Sequence, residues 1–354
     1  MAVLDGERYI KDAIDSILSQ SFRDFEFIII NDGSTDNTAG ILQQYAQLDE
    51  RLVVYHQENR GLIAALNRGC RLARGKYIAR LDADDISVPD RFEKQVDFLD
   101  RHPTVGVLGG ALKLINPKGA SFYEWRCPLD DRQIKEELRR GNCMRHSAIM
   151  MRKEAFDATE GYRRSFLHAE DYDLWLRMAE RVEMANLPDV LVYCRVHARQ
   201  VSATHLRQQT LSSLAAQAAA RIRQDTRQDP SLPVDGVNAE SLVKLGVSRD
   251  RVTQELIRRH LLWAGDMMEI GEYGPAEELL REALGLSRAA ATRGRIADIH
   301  VALARCQYLT RNPTGALFSL ARAAALRPTL APSFIRYAWL AFRRFGPRSR
   351  HPEV

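Results

Sequence analysis

The segment RLDADDIS, residues 80–87, places three carboxylates, Asp82, Asp84 and Asp85, directly after the apolar run KYIA. In extended backbone, residues two apart share a face, so the Asp82 and Asp84 side chains lie roughly 6.6 Å apart. At an effective dielectric of about 20 their repulsion is on the order of 2.5 kcal/mol, which demands a proton, a cation or full solvation. Mg²⁺ or Mn²⁺ binds one or two carboxylates and completes its shell with water and phosphate oxygens, so a phosphate-bearing ligand would account for the acids. The plainer alternative has Asp85 capping a turn before Pro89, itself suited to the first turn of a helix over 89–102, with all three acids solvated. A second acidic pair, Glu170 and Asp171, opens the stretch EDYDLWLRMAER, where negative charge also suits a helix N-terminus. His197 follows the apolar run DVLVYCRV, and a lone His after a strand is commonly a surface residue.

Those residues need elements to hold them. GERYIKDAIDSILSQ, from Gly6, has apolar positions at Ile10, Ala13, Ile14, Ile17 and Leu18, the spacing of a helix with one buried face. FEFIII (25–30) reads as a strand buried on both faces, and NDGSTDNT as a turn feeding helix TAGILQQYAQL. LVVYH, GLIAALNRGCRLA and KYIARL repeat the alternation, so the first 82 residues read β-α-β-α-β-α-β. This predicts an α/β fold with an open, doubly wound, mostly parallel sheet, in which ligands bind beyond the carboxyl ends of strands. Asp32 and the acids at 82–85 both fall at such ends, where one ligand can meet both.

At 354 residues and 45% hydrophobic, the chain exceeds one small core. The formal charge of +5 comes from 51 basic and 46 acidic residues, a mixed surface that points to no nucleic-acid partner. Five scattered cysteines, none in a CxxC pair, suit free thiols in the cytoplasm. No stretch approaches the ~20 apolar residues of a membrane span, and the N-terminus lacks a signal-peptide pattern. Beyond residue 203 the pattern turns helical: a helix over 207–224, then a Pro- and Gly-broken linker. Two later helical hairpins resemble degenerate tetratricopeptide repeats, with Ala276, Leu280 and Ala283 matching Ala316, Leu320 and Ala323 at a 40-residue offset. The expected domains are 1–204 (catalytic), 205–250 (helix and linker), 251–345 (all-α hairpins) and 346–354 (basic tail). The helix in SFIRYAWLAFRRFGPRSR mixes aromatics with Arg, as a helix in peripheral contact with the cytoplasmic membrane face does.

Several motifs in order, DGERYI, NDGSTDNT, ENRGLIAALNRG, GKYIARLDADDISVPDRFEKQ, RHSAIMMRKEAF and HAEDYDLWLRMAERVEMANLPDVLVYCRVHARQVS, resemble the family 2 glycosyltransferases of the GT-A fold over roughly residues 1–203. The resemblance implies an inverting transferase of the hexosyltransferase class. Its donor would be a nucleotide-diphosphate sugar, its acceptor a glycan or lipid-linked hydroxyl, and its setting cell-surface polysaccharide synthesis. By it, Asp32 would hold the nucleotide base, Asn59 and Asn67 would line the nucleotide pocket, and Asp82 would lie near the ribose and donor sugar. Asp84 and His197 would bind Mn²⁺ or Mg²⁺, and Arg195 would help neutralise the leaving diphosphate. Asp171 would be the general base, with Glu170 as the runner-up, and His146, Gln200 and Ser202 match further family positions. Trp175 reads as core, and Tyr123 and Trp125 as an acceptor-side pair able to stack on sugar.

Two features depart from the family pattern. Most of its first strand is absent ahead of Ala2, so either the true start lies upstream or the domain is weakened with neighbouring strand edges exposed, and Ala2 and Leu4 replace its Pro and Tyr. The alternative this raises is a non-catalytic scaffold, with a truncated GT-A domain and partner-binding helices. A nucleotidyltransferase would instead need a Gly-rich phosphate loop after the first strand, and MAVLDGERYI has none.

Overall fold

The computed structural model describes residues 1–234, 236–290 and 293–330. The chain divides into two units: one holds Met1–Val196 and Gln208–Val247, the other His197–Arg207 and the helices from Ser248 onward. The helix expected to begin a separate linker thus joins the first unit over most of its length.

The first unit alternates β1 (Ala2–Val3), α1 (Ile10–Leu18), β2 (Phe27–Asn31), α2 (Thr38–Leu48), β3 (Leu52–His56), α3 (Leu62–Leu72) and β4 (Tyr77–Ala79). There follow β5 (Ile86–Ser87), α4 (Arg91–Arg101), β6 (Val105–Ile115), β7 (Ser121–Trp125), α5 (Asp131–Leu138), β8 (Met150–Arg152) and α6 (Lys153–Asp157). Then come α7 (Glu170–Met178) and β9 (Glu183–Arg195), the short α8 (Val201–Thr204), α9 (Leu206–Thr226) and α10 (Ala239–Lys244). α1 begins at its first apolar position, Ile10, and not at Gly6, because residues 5–7 bond to the turn after β2: Gly6 N donates to Thr38 Oγ1 (2.8 Å) and Asp5 Oδ1 accepts from Thr35 N (2.7 Å).

The expected single sheet is two. β1, β2 and β3 pair in parallel, while the second sheet runs β4-β8-β6-β9-β5 with β7 beside β6. Within the second sheet only β6 and β9 are parallel. β1 covers just the carboxyl end of β2, pairing Ala2 with Ile30 and Val3 with Asn31. A cavity of about 730 Å³ is lined by Phe27 and Ile28 of β2 and by Tyr77, Ile78 and Ala79 of β4. Met1 lies at its end, its ammonium donating to Ile28 O (2.8 Å) and lowered by burial to about 6.

Apolar packing from Ile10, Ile14, Ile29, Leu42, Leu99, Leu108 and Val192 joins the layers. Buried polar groups fix the strand ends that lead to the acids. Gln20 donates to Ser16 O (2.9 Å) and Val88 O (2.7 Å) and accepts from Phe92 N (3.0 Å), locking α1 to the start of α4. Arg91, wholly buried, donates to Arg80 O (2.8 Å) and Ile149 O (3.0 Å). Burying these donors with partners avoids the desolvation penalty that an unpaired guanidinium would carry.

In the second unit α11 (Arg249–Glu269) and α12 (Tyr273–Ala290) form one hairpin, α13 (Arg293–Leu309) and α14 (Pro313–Leu326) another. Ala276, Leu280 and Ala283, and at the same offset Ala316, Leu320 and Ala323, are all buried, so small side chains let the helices approach as the spacing predicts. The expected membrane-contacting helix after residue 332 and the basic tail lie outside the described residues. No helix among the described residues is long and apolar enough to cross a membrane.

Candidate active site

β4 delivers its chain to Arg80, whose N–H donates to Ile149 O (2.9 Å), and the acids follow at once. Oxygens of Asp82, Asp84 and Asp85 come within 4.8 Å of one another. Their surroundings differ. Asp82 is paired with the buried Arg80 guanidinium and accepts from Ser147 Oγ (2.8 Å). Burial works to raise its pKa, but Arg80 overrides it and holds the carboxyl at about 2. Asp85 is buried, and its Oδ1 accepts from Arg195 N (2.8 Å). Its Oδ2 is buried with no hydrogen-bond partner among the described residues. Burial and the neighbouring charges of Asp84 and Asp82 push that carboxyl well above the usual range. An orphaned anionic oxygen inside a three-acid cluster is costly unless a cation or proton accompanies it.

Arg195 does not take the place expected of it. Its side chain is 3% exposed and committed to the protein, donating from Nε to Asp84 O (3.0 Å) and from the guanidinium to Asp12 Oδ2 (3.0 Å), with the Tyr9 ring 4.5 Å away. Its side chain holds the Asp84 carbonyl and its backbone N–H the Asp85 carboxylate, which corrects its assignment as a group presented to a leaving diphosphate. Asn67 is likewise spent: its amide accepts from Tyr162 N (2.9 Å) and donates to Tyr162 O (2.8 Å). A Cβ on neighbouring Gly161, at φ +72, would come within 2.6 Å of Asn67 Oδ1, so only glycine suits this clamp. The reading of Asn67 as a pocket residue gives way to a structural one, because both halves of its amide are occupied.

Asp32 sits where β2 ends, accepting from Gln57 Nε2 (2.6 Å), Arg60 N (2.9 Å) and Gly61 N (2.9 Å), so it shapes the 57–61 loop. Asn59 in that loop accepts from Gly61 N (3.1 Å), and its backbone N lies 2.8 Å from where a Cβ on Gly33 would stand, which restricts that turn to glycine. His197 falls in the second unit, outside the body that carries the acids, and its backbone N donates to Gln200 Oε1 (2.8 Å).

At the start of α7, Asp171 accepts from Asn142 Nδ2 (2.8 Å) and, through Oδ1, from Tyr172 N (2.7 Å). Glu170 Oε2 is buried and without a partner among the described residues, and burial with the Asp171 charge lifts its carboxyl to about 8. Burial raises the Asp171 carboxyl as well, opposed by its bonds to Tyr172 and Asn142. Deeper in the helix Asp173, fully buried, binds Arg163 and Arg177 and anchors α7. Trp175 is fully buried, as the core reading has it. His146 bonds Tyr162 Oη (2.8 Å) and packs edge-on against Trp175, and burial, with the Arg80 charge, pushes its imidazole well below the usual range. Trp125 carries the Arg145 guanidinium at 4.3 Å over one ring face, leaving the 54%-exposed Tyr123 as the open aromatic of β7.

A raised Glu170 carboxyl has a thermodynamic consequence. Between pH 4.5, its ordinary value, and about 8 the folded chain holds a proton that the unfolded chain has lost, so the fold loses stability as pH rises through that window. Glu170→Gln is expected to melt near the wild type at about pH 5 and several degrees higher at about pH 8. Calorimetry at both values checks it, and a gap that stays constant contradicts it.

Sequence reasoning passed over Arg80, Asn142, Ser147 and Arg91. Arg80 is adjacent to the acids and was findable as the cation needed beside them, and Ser147 follows His146 within the RHSAIMMRKEAF motif, whereas Asn142 carries no signal in its own neighbourhood.

The profile of glycosyl transferase family 2 matches residues 1–159. The O-antigen biosynthesis glycosyltransferase WbnJ of Escherichia coli is 35% identical over 210 residues, 58% of this chain and 82% of that protein. The amylovoran biosynthesis glycosyltransferase AmsE of Erwinia amylovora is 31% identical over 195 residues, 54% of this chain and 73% of its own. Among solved structures, S. aureus TarS 1–349 in complex with UDP-GlcNAc superposes with a TM-score of 0.53 at 16% identity, covering 89% of this chain and 88% of that one, a likeness of fold. An α/β sheet of GT-A type, an acidic cluster at a strand end and relatives aligned over most of their length converge: the chain is a glycosyltransferase and belongs to glycosyl transferase family 2.

Proposed function

We propose that the enzyme transfers a sugar from a nucleotide-diphosphate sugar to a hydroxyl of a glycan or lipid-linked acceptor, with inversion at the anomeric carbon, in the synthesis of a cell-surface polysaccharide. The observation that carries this reading is the cluster of Asp82, Asp84 and Asp85 with its buried, partnerless Asp85 Oδ2. Three hard carboxylate oxygens suit Mn²⁺ or Mg²⁺, and Asp84 with Asp85 would hold the ion while Asp82 stays with Arg80. Such an ion supplies positive charge to the diphosphate as it leaves. Asp32 and Asn59 shape the loop that receives the base, and Asp82 faces the ribose and sugar. Asp171 takes the proton of the acceptor hydroxyl, with Glu170 as its buried, protonated neighbour.

The polysaccharide role is supported by the names of WbnJ and AmsE, and the UDP-GlcNAc in TarS makes UDP the first nucleotide to test. Titration calorimetry of UDP, dTDP and GDP into the purified protein, with and without Mn²⁺, is the experiment. Binding of one nucleotide that strengthens by ~10-fold or more with Mn²⁺ is the expected result, and no binding of any would favour a non-catalytic scaffold.

A further inference from the structure

We propose that Asn142 is the positioning residue that holds the Asp171 carboxylate in its working orientation and so separates the roles of the two adjacent acids, an inference that rests on Asp171 being the base. Asn142 lies in the loop after α5, with no helix or strand of its own to fix it. It is fixed at both ends of its amide. Oδ1 accepts from Met144 N (3.1 Å), so Nδ2 is the half that faces Asp171, and it donates to Oδ2 at 2.8 Å. Reversing the amide would set two oxygens against each other at Asp171 and two N–H groups at Met144, so the assignment follows from the network.

The loop is tied to α7 and α9 independently. Tyr172 Oη donates to Leu138 O (2.5 Å), and Gln217 Nε2 of α9 donates to Arg140 O (3.0 Å). Asn142 thus sits on a braced segment, and its donor is placed rather than drifting. Asp171 Oδ1 is occupied by Tyr172 N, so the carboxylate has one oxygen on its own helix and one on Asn142. Glu170, one residue earlier, has no comparable donor on Oε2 among the described residues. The side-chain donor on Asp171 favours its charged form relative to that of Glu170, whose burial and neighbouring charge raise it further. The other charged groups that act on Asp171 are Arg80, Asp82 and Glu170 itself, and none of them distinguishes orientations as a directed N–H does.

Asn142→Asp is the informative variant, because it keeps an oxygen for Met144 N while replacing the donor to Asp171 with a second acid. Asn142→Ala removes the donor without adding charge. The first readout is ¹³C-carboxyl NMR titration of Asp171, assigned by its loss in Asp171→Asn, which needs no donor substrate. The second is the pH profile of UDP release from UDP-GlcNAc, beside UDP affinity.

Expected are a rise in the Asp171 midpoint of about one pH unit in Asn142→Ala and about two in Asn142→Asp. The acid limb of the rate profile should move up with it and UDP affinity stay within about twofold. An unmoved Asp171 midpoint with Asp171→Asn inactive overturns the role of Asn142 alone. Loss of UDP affinity and melting temperature with an unchanged pH profile overturns it too, as a structural loop contact. Full UDP release by Asp171→Asn overturns the base assignment and with it the catalytic use of Asn142.

Discussion

Asp84→Ala should weaken Mn²⁺-dependent UDP binding by at least ~100-fold, equivalent to about 2.7 kcal/mol, and lower turnover by on the order of 10³-fold. The expectation comes from the unequal settings of the three acids. Asp82 is neutralised by Arg80 and bonded to Ser147, so its charge is already satisfied by the protein. Asp85 gives one oxygen to Arg195 N and is buried. Asp84 is the less buried of the latter two, with its backbone carbonyl held by Arg195 Nε, and it completes the cluster that a hard cation would bridge. Its removal leaves Asp82 committed to Arg80 and Asp85 alone against the ion. Metal-free UDP binding should change little, since the proposed base-side loop around Asp32 is untouched. Calorimetry with and without Mn²⁺ reads both terms. Wild-type affinity in Asp84→Ala would move the cation elsewhere and end this account of the cluster.

Asp171→Asn should cut turnover by about 10² to 10⁴ while UDP affinity is retained, because it deletes a proton acceptor without altering shape. Glu170→Gln should cost much less. Glu170 is lifted to about 8 and is largely protonated at neutral pH, so the amide imitates its working state. Burial raises Asp171 too, but its bonds to Asn142 and to its own helix N–H oppose that rise, so it is the acid better held as an anion. Steady-state rates and UDP titrations on both variants separate base loss from binding loss. If Glu170→Gln proves the inactive one, the roles of the two acids exchange, and a one-residue rotation at the start of α7 would be the reason.

Much of this was readable in the chain. Strong apolar periodicity placed α1 to α4 and β2 to β4 within a few residues, and the 40-residue offset found two hairpins whose alanines are in fact buried. Continuous apolar runs cannot say whom a strand pairs with. The division into two sheets, with a cavity between β2 and β4, therefore appeared only in three dimensions.

The sequence by itself determined the family, the α/β order, and the placing of Asp32 and the 82–85 acids at strand ends, because these depend on local pattern and on motifs in order. Which polar groups are spent and which are available was decided by the tertiary structure alone. Arg195 and Asn67 looked like ligand contacts until the Asp84 carbonyl and the Asp12 carboxylate claimed the one and the Tyr162 backbone the other. Arg80 and Asn142 emerged as the partners of Asp82 and Asp171. For Arg195, Asn67 and Asn142 the physical cause is common: a hydrogen bond is short and directional, and a partner 29 to 111 residues away leaves no periodic trace in the sequence around the side chain.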